Sequence, residues 1–254
     1  MTTFAVGADS YDRFMGRYSA PLAPRFADFA GVTVDQHVLD VGCGPGALTG
    51  ELVTHVGADR VSAVDPSESF VRAARERNPG VDVRLAPAEN LPFANGSFDV
   101  SLAQLVVHFM SDPVAGLREM ARVTRSRGAV AACVWDFAGE RAPLSVFWAA
   151  ARELDPEAMD ESYLAGAREG HLGELFRQAG LRDVEAGSLS VEVEHQTFEE
   201  WWEPFTLGVG PAGAYANGLD ADRQAQLRER CREKIRSAPF VLPAYVWAAR
   251  GRAA

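Results

Sequence analysis

Cysteine and lysine are scarce in this chain of 254 residues: there are three cysteines, and Lys234 is the only lysine. Cys43, Cys133 and Cys231 form neither a CxxC pair nor an even framework. That argues against a disulfide-stapled scaffold and structural zinc, and predicts a reducing, cytoplasmic setting. Long apolar runs are missing as well. The greasiest stretch, Val100 to Met110, is broken by Ser101, Gln104 and His108, far short of the ~20 apolar residues of a membrane span. Met1 to Asp9 has neither a basic start nor an apolar stretch, so no signal peptide is expected there. Positive charge is in deficit. A formal net charge of −10 repels a phosphate backbone and disfavours a nucleic-acid partner. No GxSxG elbow, HExxH pair or clustered acids of a magnesium site occur, so no metal is expected.

What is present is a large apolar fraction, 47%, enough to bury one sizeable core; the length fits a single domain with elaborations. Strand-like and helix-like segments alternate through the first half, the pattern of a parallel sheet with crossover helices. Val38 to Val41, Val61 to Val64, Val81 to Leu85, Phe98 to Leu105 and Gly128 to Trp135 read as strands. Leu48, Leu52, Val53 and Val56 recur at helical spacing. A helix is predicted from Ser67 to Arg77, and another begins at Asp112-Pro113, a cap followed by proline at the first helical position. Further on, Leu189, Val191 and Val193 alternate with polar residues, as in an edge or half-exposed strand. Phe240 to Ala248 reads as a last strand. Residues 141–180 and 197–237 are expected to be helical additions, and Leu227, Cys231 and Ile235 share one helix face.

The sharpest motif is Val38-Leu39-Asp40-Val41-Gly42-Cys43-Gly44-Pro45-Gly46, a strand running into three glycines with a helix directly after. Glycines let a backbone approach a ligand where a Cβ would collide. The spacing is G-x-G-x-G; a dinucleotide fingerprint sets its third glycine one place later, under a pyrophosphate. This loop suits a ligand without phosphate. The second strand ends in Asp65, placed either to accept both hydroxyls of a ribose or to cap the following helix.

Taken together, VLDVGCGPG, VSAVD and APAENLPFANGSFDVSLAQLVVHF resemble the class I S-adenosylmethionine-dependent methyltransferases, and closely the ubiquinone/menaquinone-biosynthesis type of small-molecule enzyme. The resemblance covers about residues 35–136. It implies an α/β fold: a Rossmann-like, seven-stranded, mostly parallel sheet with helices on both faces and an antiparallel last strand. Residues 1–34 would form an N-terminal lid region and residues 35–136 the cofactor-binding core. It further implies S-adenosyl-L-methionine as cofactor, with Gly42 and Gly44 under its methionine part, Asp65 on ribose and Gln104 beside both. Asp40 would orient the loop or reach the ammonium through water. The family usually has an acid after the third strand where Pro87 stands here, so the adenine contact falls to the Ala88 backbone N–H and to Glu89. Tyr11-Asp12-Arg13-Phe14-Met15-Gly16-Arg17-Tyr18-Ser19 resembles the family's lid, with Tyr11 closing over the adenosyl group and Arg17 pairing with the cofactor carboxylate; a plain amphipathic helix is the other reading.

His108 falls near the expected substrate side. With an ordinary pKa near neutral it is a candidate general base, or else a packed histidine. Phe147, Trp148, Trp201, Trp202 and Phe205 either line an apolar substrate pocket or anchor the additions as core. The pocket reading favours a hydrophobic small molecule such as a polyketide, quinone or lipid precursor. Ala103-Gln104-Leu105-Val106 replaces the Asn-Pro-Pro-Tyr type of motif, which disfavours amine substrates in nucleic acid or protein. Two rival functions remain: a protein that binds the cofactor without catalysis, and a nicotinamide-dependent oxidoreductase.

Overall fold

A computed structural model describes residues 7–254; the signal-peptide expectation falls largely on residues 1–6, outside the described residues. The strands are β1 (Val38–Val41), β2 (Val61–Asp65), β3 (Asp82–Leu85), β4 (Phe98–Gln104), β5 (Thr124–Trp135), β6 (Arg182–His195) and β7 (Phe240–Arg252). They form one sheet in the order β3-β2-β1-β4-β5-β7-β6. The first five pair in parallel, and β7 runs antiparallel to both β5 and β6. All four residues of β1 are buried, because a central parallel strand is covered on both faces and needs an unbroken apolar run. Strand β6 mixes exposed and half-buried residues with buried Val191 and His195 and lies at the sheet edge, in keeping with an edge or half-exposed strand.

The helices are α1 (Ala8–Tyr11), α2 (Arg17–Ala30), α3 (Ala47–Val56), α4 (Glu68–Arg77), α5 (Pro113–Val123), α6 (Ser145–Leu154), α7 (His171–Gln178), α8 (Phe198–Trp202), α9 (Gly210–Gly218) and α10 (Ala221–Ile235); Asp12–Gly16, between the first two, is a π-helical turn. The Asp112 side chain accepts from the Ala115 N–H with Pro113 at the first position of α5, so the capping signal was read correctly. Among the described residues no helix is long and apolar enough to cross a membrane.

Two strands run longer than their sequence suggested. A bulge between Phe98 and Val100 lets Thr124 rejoin the ladder before Gly128, and a 2.7 Å bond joins the Thr124 and Ser101 hydroxyls. Strand β7 continues to Arg252 because it is paired on both sides. The aromatics of the later helices are core. Phe147 lies flat on Phe205 at 4.5 Å between centroids, and Trp148, Trp201 and Trp202 are buried around them. They tie α6 to α8 and to the turn Glu203–Leu207, and none lines the main cleft described below. Of the two readings of these five residues, the packing supports the core one: large rings on short helices hold those helices to the sheet, and Trp201 and Phe205 also line a small separate cavity.

Candidate active site

Strand β1 has β2 on one side and β4 on the other, so the strand order reverses there. Such a reversal opens a crevice at the carboxyl ends of the strands. A cleft of about 320 Å³ occupies it, lined by Tyr11, Gly42, Gly44, Asp65, Pro66, Ser67, Phe70, Gln104, Leu105, Val106 and Phe109. At the end of β4 Leu105 takes a φ of 62°, a left-handed conformation that a leucine adopts only under constraint. Its N–H donates to the Cys133 carbonyl at 2.9 Å, which holds the turn.

The glycine loop is pinned to β2: the N–H groups of Gly42 and Cys43 both donate to the Val64 carbonyl, at 2.8 and 2.9 Å. Two of its glycines are needed for different reasons. A Cβ on Gly42 would stand 2.5 Å from Val106 Cγ2, whereas one on Gly44 would meet nothing within 4 Å and faces the cleft. Gly42→Ala is therefore expected to destabilise the fold by about 1–3 kcal/mol, measured by urea denaturation. Gly44→Ala should cost on the order of 1 kcal/mol of stability through backbone strain and weaken a ligand in the cleft far more than Gly42→Ala does, relative to its effect on folding. Equal ratios for the two variants would count against a ligand lying on Gly44.

Asp65 is buried at the end of β2. Its Oδ2 accepts from the Gly44 N–H at 2.9 Å and its Oδ1 from the Ser67 N–H at 2.8 Å. It thus organises the turn into α4, and each oxygen keeps a lone pair toward the cleft it lines. Burial pushes its carboxyl up to about 6, against the lowering effect of those two N–H groups. Asp40 lies one layer deeper. Its Oδ2 accepts from the Thr49 hydroxyl at 2.7 Å, while Oδ1 is buried with no partner. Burial drives this carboxyl up to about 7; the Thr49 bond opposes the shift and the charge of Asp65 adds to it. Gln104 Nε2 donates to the Ser19 carbonyl at 3.0 Å. Since a carbonyl can only accept, the amide orientation is settled and Oε1 is left buried without a partner. Asp40 and Gln104 line one small recess together with Gly42 and Gly44.

Three of the sequence-derived cofactor contacts sit elsewhere. Glu89 is turned away from the cleft: its Oε1 accepts from the Ser111 and Asp112 N–H groups at 2.7 and 3.2 Å, where donors at the start of α5 attract a carboxylate. Ala88 is buried beside Gly116 of α5 and does not line the cleft. Arg17 faces the other side of α2. Its Nη1 donates to His195 Nδ1 at 2.9 Å and to Glu200 Oε1 at 3.3 Å. Because the guanidinium can only donate, His195 Nδ1 must accept, and Nε2–H then donates to the Tyr18 hydroxyl at 2.9 Å. The Arg17 side chain is held by a histidine and a glutamate through Nη1, with Nε buried and unpartnered, and it does not line the cleft.

His108 is a packed histidine in the turn Val107–Phe109. It is only 6% exposed, and burial pulls its imidazole down to about 3, well below the near-neutral value a base would use at physiological pH. It lines a second, smaller cavity beside the cleft.

Comparison with known proteins now bears on the fold and cleft together. Residues 39–132 match the family model described as methyltransferase domain. A demethylmenaquinone methyltransferase from Paenarthrobacter aurescens is 30% identical over 178 residues, covering 64% of this chain and 69% of that protein. The chain belongs to the S-adenosylmethionine-dependent methyltransferases. A ubiquinone biosynthesis O-methyltransferase from Parvibaculum lavamentivorans is 39% identical over 98 residues, 37% of this chain and 38% of that one. The chain spans half or less of the length of several curated relatives. Among solved structures, the YcgJ protein from Bacillus subtilis superposes with a TM-score of 0.58 at 19% identity, covering 92% of this chain and 97% of that one, a likeness of fold.

Within this cleft, Tyr11, Gly42, Gly44, Asp65 and Gln104 come together from four separate segments, with Asp40 beneath them. Sequence reasoning missed Thr49, Phe70 and Val106. Among the described residues, Thr49 is the one whose side chain bonds Asp40; it lies nine positions on, in the first turn of α3, and that spacing was the available signal. Phe70 meets Tyr11 edge-on at 5.3 Å between centroids, and nothing local in the sequence announces that pairing.

Proposed function

We propose that this chain transfers the methyl group of S-adenosylmethionine to a small, apolar metabolite by in-line displacement. The observation that carries the reading is the pair of buried acceptors without partners, Asp40 Oδ1 and Gln104 Oε1, beside the glycine loop. Leaving such atoms unpaired costs about 1–3 kcal/mol each, a cost that the ammonium of the cofactor's methionine part would remove. The residues present fit this ligand. Asp65 keeps lone pairs for two ribose hydroxyls, Gly44 leaves the space a Cβ would fill, and Tyr11 and Phe70 give apolar cover to the adenosyl group.

S-adenosylmethionine supplies a methyl group on a sulfonium, a leaving group that needs no further activation. The chain's work is accordingly to orient the reactants and keep water out. Tyr11 and Phe109 border both the cleft and the cavity of His108, which makes their junction the place for donor and acceptor to meet. His108, held neutral, serves there as a hydrogen-bond acceptor rather than as a strong base. The relatives named for demethylmenaquinone and for ubiquinone biosynthesis support an apolar acceptor. The acidic chain suits a small acceptor better than nucleic acid, and its unpaired cysteines suit a cytoplasmic setting. Glu89 and Arg17, occupied elsewhere, have no part in this reading.

Calorimetric titration with S-adenosylhomocysteine and with NADH tests it: heat of binding is expected from the first and none from the second. The affinity should rise with pH between about 5.5 and 8, by up to about tenfold per unit on the acid side. The sign follows from Asp40, which burial protonates below about 7 and which must release its proton to hold an ammonium. NADH binding, or a pH-independent affinity, would remove the reading. Binding of S-adenosylhomocysteine without methyl release to any member of a metabolite library would favour a non-catalytic cofactor-binding protein.

A further inference from the structure

Behind the cleft, the cavity beside His108 encloses roughly 30 Å³ and is walled mainly by apolar side chains, Phe14, Met15 and Phe137 among them. Besides the Tyr11 phenol, three polar groups interrupt this lining. His108 Nδ1 and Trp135 Nε1 are both buried without a hydrogen-bond partner, and the residues that carry them are 6% and 2% exposed. The third is Glu161, whose Oε2 accepts from Trp148 Nε1 at 2.7 Å. A space of this size holds one or two water-sized groups and not a whole metabolite. Tyr11, Leu105 and Phe109 line both this cavity and the cofactor cleft, so the two are neighbours across a shared wall.

Resting on the methyl-transfer reading, we propose that this cavity selects the methyl acceptor by seating one hydroxyl group between Trp135 Nε1 and His108 Nδ1. The indole can only donate, so the group it meets must carry a lone pair, which excludes an ammonium. A hydroxyl serves either tautomer of His108, donating to a bare Nδ1 or accepting from a protonated one. A carboxylate would bring a charge into a wall that contains Glu161 and offers no cation. Burial keeps His108 neutral and pushes the Glu161 carboxyl up to about 7, which agrees with a pocket for an uncharged group. The acceptor class is therefore an apolar molecule bearing a neutral hydroxyl, with its body toward Tyr11 and Phe109.

The test uses the full chain saturated with S-adenosylhomocysteine, whose binding is measured first. Phenol, toluene, benzylamine and benzoate are then titrated at pH 7.5, with the Trp135 indole N–H followed by NMR. Phenol should bind about tenfold more tightly than toluene, the value of one well-made hydrogen bond, and should shift the Trp135 signal; the two charged probes should bind more weakly than phenol. Trp135→Phe and His108→Phe should each reduce the preference for phenol to about threefold or less, with the affinity for S-adenosylhomocysteine unchanged. Equal binding of phenol and toluene, or no binding of either, would overturn the proposal and leave a structural water as the occupant. Tightest binding of benzylamine or benzoate would overturn it in favour of a charged acceptor. If S-adenosylhomocysteine itself fails to bind in the first arm, the methyl-transfer reading is what has failed.

Discussion

Replacing Asp65 by Ala is expected to raise the dissociation constant for S-adenosylhomocysteine by at least about 100-fold, the loss of two charge-assisted bonds at about 1.5–3 kcal/mol each, less what water restores. Some of that loss is indirect, because the same carboxylate organises the turn: without it the Gly44 and Ser67 N–H groups lose their acceptor. A modest fall in thermal midpoint should accompany the loss of affinity. Asp65→Asn separates the two contributions. Its amide keeps one acceptor oxygen but turns an NH₂ toward a backbone donor, so the turn is weakened while the volume is unchanged. Calorimetry that finds the wild-type affinity in Asp65→Ala would exclude Asp65 from ligand binding and leave it as a turn residue alone.

Asp40→Asn should move stability and affinity in opposite directions. Asparagine preserves the bond from Thr49 and removes a carboxyl that burial holds at about 7. A folded-state pKa raised above the unfolded value gives stability that is complete below about pH 4 and is lost as the pH rises through about 7. The variant escapes that loss. It should be more stable than the wild type at pH 8, by on the order of 1–3 kcal/mol, an advantage that shrinks as the pH falls to 5.5. Affinity for S-adenosylhomocysteine should fall about tenfold or more at pH 8, with little difference at pH 5.5. Thermal melts and titrations at the two pH values check both halves. Unchanged affinity at pH 8 would leave Asp40 as a residue that only shapes the glycine loop.

Much of the sheet could be read in advance because its signals are local. Strand β1 matches its expected bounds, and the helix after Asp112 begins at its cap. Central parallel strands are mostly apolar, and caps and glycines act within a few residues. The glycine loop and Asp65 were legible as strand ends, whereas Gln104 was singled out through the family resemblance; all three line the cleft. What could not be read depends on distant partners. Glu89 looked available until the N–H groups of Ser111 and Asp112 were seen to claim it, and Arg17 until His195, far along the chain, was placed beside it. The pKa of His108 could not be inferred from residue type either, since the shift comes from burial that several remote segments create.

The bonds joining Arg17 and Tyr18 to His195 have a consequence for how this protein could be altered. His195 ends β6, an outer strand with a single neighbour, four places from β1 in the sheet. The segment that walls the cleft is therefore latched to the margin of the sheet and not only to its centre. Margins carry fewer constraints than centres and tolerate change more readily. Substitutions at His195 therefore reach the cleft wall from a distance while the glycine loop and its acids stay as they are.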